Sequence, residues 1–322
     1  TGGAGFIGSH IVELLVKNKY SVIVIDNFVT GRLDNLKKVS NKIKIVNASI
    51  EDYNKIEKYF KNCKYVFHLA GLADVVPSIE QPEKYFDTNV KGTLNILRAS
   101  KKYNIKKVVY AASASCYGMV KTFPTNEKTK ISTEYPYALT KYLGEELICH
   151  WAKIYKLPTI ALRLFNVYGV RSRTTGAYGA MFGVFLAQLI NNKPLTIVGN
   201  GKQSRDFVYV TDVAKAFYLV AKSKKSGEIY NLGSDNPQSV NTLANLIGGK
   251  KTYIPDRPGE PKRTWANTTK IKRDLNWKPT INFRKGINKM LLEIENWNKA
   301  PLWTPKSISL ATKTWFKYMG KK

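Results

Sequence analysis

Gly2-Gly3-Ala4-Gly5-Phe6-Ile7-Gly8 stands at the head of the chain, directly before the apolar-periodic stretch Ser9 to Lys17, which reads as a helix. The glycines fall at G-x-x-G-x-x-G. Gly2 is expected to permit a tight turn, Gly5 to let backbone approach a pyrophosphate, and Gly8 to let helix and strand pack closely while helix N-terminal N–H groups face the phosphates. Alone, such a string is a weak signal. Ser21-Val22-Ile23-Val24-Ile25 then reads as a strand ending on Asp26, at the distance expected for an acid that accepts hydrogen bonds from an adenosine ribose. The pair of signals predicts a dinucleotide site. Asp26 would repel a 2′-phosphate and the nearest arginine, Arg32, lies six residues on, so NAD is favoured over NADP. The competing reading makes Asp26 a simple turn former before Asn27.

Outward from this turn, strand and helix signals alternate. Strands are expected at 44–46, 65–69, 107–111 and 159–163, and helices near 53–60, 83–103 and 137–155. Near-continuous β-branched strands separated by helices predict an α/β fold, a Rossmann-type doubly wound parallel sheet covered on both faces. After Asn166 the rhythm loosens into a Gly- and Thr-rich loop, then a helix over 182–190. We expect an NAD-binding domain over 1–165, with returning segments at about 204–235, a smaller C-terminal substrate-binding lobe over 166–203 and 236–297, and a C-terminal extension over 298–322. The extension ends in an amphipathic stretch, Ser307 to Tyr318, expected to pack on a surface. Because the chain starts on the turn itself, the strand that should feed it is expected ahead of Thr1.

The 322 residues are 43% hydrophobic, enough for a large core. No run of about 18 apolar residues and no basic-then-apolar leader occurs, so we expect a soluble, cytoplasmic protein without a membrane span. Three widely spaced cysteines, Cys63, Cys116 and Cys149, suit reduced packing residues, and no metal site is expected. A net charge of +29 would suit a polyanion. Its lysines are scattered rather than gathered in one arm, so a basic surface that favours anionic substrates is the expectation and nucleic acid is not.

Tyr137-Ala138-Leu139-Thr140-Lys141 sets a phenol and an ammonium four apart, on one face of a helix. A lysine there should lower the phenol's pKa and fit it for proton transfer with a sugar hydroxyl. The spacing is common by chance, and its position after the fifth strand gives it meaning. His68, on an apolar strand, reads as a core histidine.

With these residues in hand the chain resembles the extended short-chain dehydrogenase/reductases, and within them the UDP-sugar 4-epimerases. The matching motifs are the glycine turn, Asp26-Asn27, His68-Leu69-Ala70-Gly71, Asn89-Val90-Lys91-Gly92-Thr93, Ser113-Ala114-Ser115-Cys116-Tyr117-Gly118, Tyr137 with Lys141, and Leu162-Arg163-Leu164-Phe165-Asn166. The resemblance implies that Tyr137 takes the proton from the sugar O4 as the C4 hydride passes to NAD. Lys141 would bind the nicotinamide ribose, and Ser113, with Ser115 as its neighbour, would hold the same oxygen. A transient 4-keto sugar would turn in the pocket and take the hydride back on its other face. It implies NAD contacts at Gly2, Gly5, Phe6, Ile7, Gly8, Asp26, Asn27, Thr30, Gly31, Ser49, Ile50, Leu69, Ala70, Gly71, Asn89 and Phe165. Substrate contacts are implied at Asn166, at Arg205 and Arg257 on the diphosphate, at Thr196 and Val198 as a uridine shelf, and at Thr264. A homodimer through the helices near 83–103 and 137–155 is also implied.

Three departures qualify the likeness. Ser49-Ile50 stands where relatives usually carry Asp-Ile against adenine. Thr264 replaces a bulky tyrosine of some hexose epimerases, leaving room for an N-acetyl or carboxylate group. Ala114-Ser115 stands where 4,6-dehydratase relatives carry Asp-Glu and decarboxylase relatives a glutamate, which counts against both reactions. A second class of reading, a non-catalytic NAD- or RNA-binding protein on the same fold, would leave Ser113, Tyr137 and Lys141 without a purpose.

Overall fold

The computed structural model describes residues 1–172 and 181–320, so most of the Gly- and Thr-rich loop expected after Asn166 lies outside the described residues. The strands are β1 (Val22–Asp26), β2 (Ile43–Asn47), β3 (Tyr65–His68), β4 (Lys107–Ser113), β5 (Thr159–Leu164), β6 (Asn166–Tyr168), β7 (Leu195–Val198), β8 (Ser204–Arg205), β9 (Phe207–Tyr209), β10 (Glu228–Leu232), β11 (Gln238–Ser239) and β12 (Lys251–Ile254). The α-helices are α1 (Phe6–Lys17), α2 (Tyr53–Ile56), α3 (Val75–Glu80), α4 (Pro82–Phe86), α5 (Gly92–Lys102), α6 (Pro136–Tyr155), α7 (Met181–Ile190), α8 (Val210–Lys222), α9 (Val240–Ile247), α10 (Thr269–Leu275), α11 (Phe283–Leu292), α12 (Pro305–Ala311) and α13 (Lys313–Met319).

Valine-rich strands that can bury both faces pair in parallel, in the order β10-β5-β4-β3, while β1 and β2 form a second parallel pair. Val108, Val109, Tyr110, Ile160, Ala161 and Leu162 are buried in the central strands. One core cluster joins α1 and α8 to one face, and a second joins α5 and α6 to the other. This is the α/β Rossmann-type fold that the alternation predicted. A separate cluster forms around α7, β7, α9 and α11, with Phe182, Phe185, Leu243 and Trp297 at its centre. No described helix is long and apolar enough to cross a membrane.

Thr1 and Gly2 bridge the two sheets. The Thr1 nitrogen donates to the Phe67 carbonyl at 2.8 Å, Leu69 N–H donates to the Thr1 carbonyl at 3.1 Å, and Gly2 N–H donates to the Ile25 carbonyl at 2.9 Å. Behind this bridge the edges of β1 and β3 border a cavity of about 370 Å³ lined by Ile11, Val12, Val24 and Val66.

Several expected helices are interrupted. The one expected over 53–60 is α-helical only to Ile56 and tightens into a 3₁₀ turn over Glu57–Phe60. The one expected over 83–103 is divided by a π turn, Asp87–Lys91, between α4 and α5. Ser307 to Tyr318 is two helices rather than one amphipathic rod. They part at Thr312, whose hydroxyl bonds back to the Ile308 carbonyl at 2.8 Å and competes with the backbone ladder.

Candidate active site

The glycine turn builds a backbone-lined groove. Gly2 has φ +69° and lies so near the chain after β3 that a Cβ there would be 2.5 Å from the Ala70 nitrogen. Gly8 presses on the Gly2 carbonyl, inside contact distance for any added Cβ. Gly8 thus lets α1 lie against the turn, and Gly3 adds to the close fit, since its Cβ position abuts Val24 of β1 and Val12 of α1. The motif's spacing does not distinguish these jobs. Asp26, buried at the end of β1, accepts from Ala4 N–H and Phe28 N–H, both at 2.9 Å, so it is a turn former as well as an acid facing the groove. Each oxygen keeps a further lone pair for a ligand hydroxyl.

The groove, about 270 Å³, is lined by Gly2, Gly5, Phe6, Ile7, Gly8, Asp26, Asn27, Thr30, Ile50, Leu69, Ala70 and Gly71, twelve of the positions read from the sequence. Three others stand behind it. Gly31 packs against the Asp26 carboxylate. Ser49 accepts from Glu51 N–H at 3.3 Å through its hydroxyl and is not among the lining residues. Asn89 is 1% exposed and its amide pins the chain after β3, accepting from Leu72 N–H at 2.8 Å and donating to the Leu72 carbonyl at 3.0 Å. Its amide holds the loop beside the groove and is not among the groove's lining residues. Lys84, Thr88 and Glu51 also line the groove and were not anticipated, because nothing in their local sequence marks them.

Next to the groove opens a second cavity of about 490 Å³, which shares Phe6, Ile7, Leu69 and Gly71 with it. Here α6 presents Tyr137 and Lys141. Pro136 starts the helix at a position that needs no N–H partner, and Gly144 lets it lie against the Tyr110 ring of β4. Ser113 ends β4 and its hydroxyl accepts from Ser115 N–H at 3.2 Å; the two hydroxyls are 2.8 Å apart. The Tyr137 phenol donates to Ser113 Oγ at 3.3 Å. The Lys141 ammonium lies 4.2 Å from the centre of the Tyr110 ring. A buried bidentate pair, Arg163 with Glu145 at 2.6 and 2.9 Å, fixes α6 against β5, and Arg163 also donates to the Tyr117 hydroxyl at 2.8 Å, holding the turn after Ser113.

Burial rules the charges. Desolvation pushes the Tyr137 phenol above its ordinary range, opposed by its hydrogen bond to Ser113. Desolvation brings Lys141 down to about 7, opposed by Glu145. The expected lowering of the phenol by the lysine is not seen in the protein alone, where both groups are pressed toward neutral forms. His68 is fully buried with its ring nitrogens 2.8 Å from Thr1 Oγ1 and 2.9 Å from Thr93 Oγ1, a core histidine as the sequence suggested.

Phe165, Asn166, Arg205, Arg257 and Thr264 line the same cavity. Thr196 and Val198 line a third, about 130 Å³, which shares Asn166, Arg205 and Arg257 with the second. Arg205 pairs with Glu260 at 2.7 Å, not with its neighbour Asp206. Asp206 points away, fully buried, and accepts from Ser234, Asp235 and Ala266 backbone N–H groups. Thr264 bridges Asn166 Oδ1 at 2.9 Å and Asp206 N–H at 3.1 Å. Groove and both cavities thus form one trough with Tyr137 and Lys141 at the first junction and two arginines at the second. Among the described residues no cluster of three or more His, Cys, Asp or Glu gathers that could hold a metal ion.

The sequence pattern of the NAD dependent epimerase/dehydratase family matches residues 1–233. The chain belongs to this family. It is 35% identical to a UDP-glucuronate 4-epimerase of Thermodesulfobacterium geofontis over 96% of this chain and 98% of that one. A UDP-N-acetyl-alpha-D-glucosaminuronate decarboxylase of Bacillus cytotoxicus is 32% identical, over 92% and 98%. The crystal structure of a Thermotoga maritima UDP-glucose 4-epimerase with UDP-glucose superposes with a TM-score of 0.86 at 35% identity, covering 92% of this chain and 97% of that one.

As a member of an NAD-dependent family, the chain offers a groove that fits the cofactor on its own terms. Gly2, Gly5 and Gly8 of the turn line it at the start of α1, and the Asp26 carboxylate stands at the end of β1. Lys141 closes the far end, with its ammonium 3.8 Å from the Cβ position of Gly71.

Proposed function

We propose that this family member is an NAD-dependent nucleotide-sugar 4-epimerase that inverts C4 of a UDP-hexose, UDP-N-acetylhexosamine or UDP-hexuronate. The observation that carries the reading is the Tyr137–Ser113 hydrogen bond at the junction of the cofactor groove and a cavity that ends in two arginines. In this reading the groove residues hold NAD, with Asp26 on the adenosine ribose and Lys141 on the nicotinamide ribose. When bound, the cofactor accepts a hydride from the sugar carbon and gives it back.

The protein's own part is proton handling and aim. Tyr137 Oη removes the O4 proton and later returns it, and Ser113 Oγ holds that oxygen in place. A phenolate in so dry a pocket is tolerable only beside a compensating positive charge, which the ammonium form of Lys141 supplies one helical turn away. Arg205 and Arg257 clamp the diphosphate, for which Arg205 must exchange Glu260 for phosphate oxygens. Asn166 and Thr264 face the sugar, and Thr196 with Val198 shelves the base. The short Thr264 leaves the pocket able to accept an N-acetyl or carboxylate substituent.

Elimination of water across C5–C6 needs an acid and a base beyond the tyrosine, and the relatives that dehydrate or decarboxylate carry carboxylates after this serine. Here Ala114 and Ser115 stand there. The acids that line the cavity, Glu134 and Glu260, accept from Ser132 Oγ at 3.2 Å and from Arg205. We also propose a homodimer through the helices over 83–103 and 137–155, where Phe86, Leu139, Ile154 and Tyr155 are 43–52% exposed. Light scattering giving a monomer would remove that proposal.

Incubation with UDP-glucose, UDP-N-acetylglucosamine and UDP-glucuronate, with products resolved by NMR, tests the reaction. Interconversion of 4-epimers without net NADH is expected. Release of a 4-keto-6-deoxy or decarboxylated product would replace the reading.

A further inference from the structure

Residues 298–320 supply neither the groove nor the proton-transfer pair, yet they touch the trough at three separate places. The first is Gln188 of α7. Its amide nitrogen donates to the Trp303 carbonyl at 2.7 Å and to Thr196 Oγ1 at 2.9 Å, while its oxygen accepts from Thr196 N–H at 3.0 Å. One 1%-exposed side chain therefore ties the start of the extension to the strand that carries Thr196 and Val198. The second is Ile308 of α12, 4% exposed, which forms part of the wall of the cavity shared by Arg205 and Arg257.

The third is Trp315 of α13. Its indole is fully buried between α3 and the catalytic helix, 5.7 Å from the Tyr135 ring, and Tyr135 in turn stacks on Tyr137 at 6.3 Å with 10° between planes. The same indole donates its N–H to the Pro258 carbonyl at 2.7 Å, one residue from Arg257. Met319 presses on Gly259, which has φ +70° and would bring a Cβ within 3.2 Å of it. Val75 and Val76 close the cluster from the other side, and Thr314 Oγ1 donates to Glu80 at 2.8 Å.

A buried tryptophan whose N–H is satisfied holds its neighbours with both area and direction. This one grips at once the aromatic stack that ends in the phenol and the loop that carries a diphosphate arginine. Resting on the epimerase reading above, we propose that the C-terminal extension is a strap that completes the nucleotide-sugar site. Trp315 is a positioning residue that acts through Tyr135 on Tyr137 and through Pro258 on Arg257. Ile308 walls the nucleotide end.

The test uses the full chain carrying NAD, in three variants, with KM and kcat for epimerisation, calorimetric affinity for UDP, NAD content and thermal midpoint measured on each. Trp315→Phe keeps the ring against Tyr135 but loses the bond to Pro258. It should raise KM and weaken UDP binding about fivefold with kcat held. Trp315→Ala should weaken UDP about tenfold and also lower kcat about tenfold, because the Tyr135–Tyr137 stack loses its backing. Ile308→Ala should raise KM severalfold and leave kcat alone. NAD content should stay at the wild-type level in all three.

A merely structural tail predicts lower thermal midpoints with wild-type KM, kcat and UDP affinity in the folded protein, and that result overturns the strap. UDP affinity separates this proposal from the epimerase reading. A wild-type protein that turns over no UDP-sugar but loses UDP tenfold in Trp315→Ala keeps the strap and sinks the epimerase. A wild-type protein that binds no UDP sinks both.

Discussion

The cofactor groove and the substrate cavities adjoin, yet they are built on different principles. The groove is walled by residues 2–88 together with Ala111, and the close approaches at its glycine turn depend on side chains that are missing. The substrate side is assembled from side chains on segments as distant as Ser113, Tyr137, Asn166, Arg205, Arg257 and Ile308. A turn built on close-packed glycines fails when anything is added. A region made of converging side chains fails when anything is taken away.

The sharpest test of that contrast is Tyr137→Phe, which removes one oxygen and should cut turnover about a thousandfold while bound NAD, read by absorbance, is unchanged. Wild-type turnover would end the mechanism. Next is the opposite kind of change, Gly8→Ala, which adds one carbon against the Gly2 carbonyl. Overpacking of about 1–3 kcal/mol should weaken NAD retention tenfold to a hundredfold, seen as cofactor lost on gel filtration. Equal retention would show that the turn has slack. Arg205→Lys trades a planar fork for a point charge at an 8%-exposed site, so KM for the UDP-sugar should rise about tenfold with NAD content unaffected.

The smallest effect concerns the junction of the two regions. Lys141 sits near 7 in the folded protein, below an unfolded lysine, so the unfolded chain holds the extra proton between pH 7 and 10.5. Stability therefore rises with pH through that window, and the cost of burying this amine is full only below pH 7. For protein stripped of NAD, this group should add about 1 kcal/mol between pH 7 and pH 8 in urea unfolding. Lys141→Met should lose that increment. A parallel pH dependence in the variant would mean the amine is not buried as described.

The same contrast explains what could be read from the chain. The parallel sheet announced itself through β-branched runs, and the groove through glycines and an acid at a fixed interval, because both are set by residues close in sequence. That local pattern marks Gly2, Gly5, Gly8 and Asp26, while the other eight groove positions follow from the family resemblance. At Asn89 the sequence is silent on the hold it has on Leu72, since an amide that pins a loop and one that meets a ligand look alike there. Lys84 and Glu51 went unseen, since their place depends on where α4 and the chain after β2 settle. Likewise the Arg205 partner, Glu260, is 55 residues away, and only the folded chain brings the two together. The burial that moves Tyr137 and Lys141 the wrong way for a phenolate is also a property of packing.

Asp206 adds a practical warning. Its carboxylate gathers three backbone donors and the Ser234 hydroxyl from two distant loops, and it sits next in sequence to an arginine of the trough. A mutational scan scored by activity would rank this residue with the ligand contacts, although it faces inward and meets no substrate. Only a melting curve recorded beside each assay would show that such a loss comes from scaffolding come adrift.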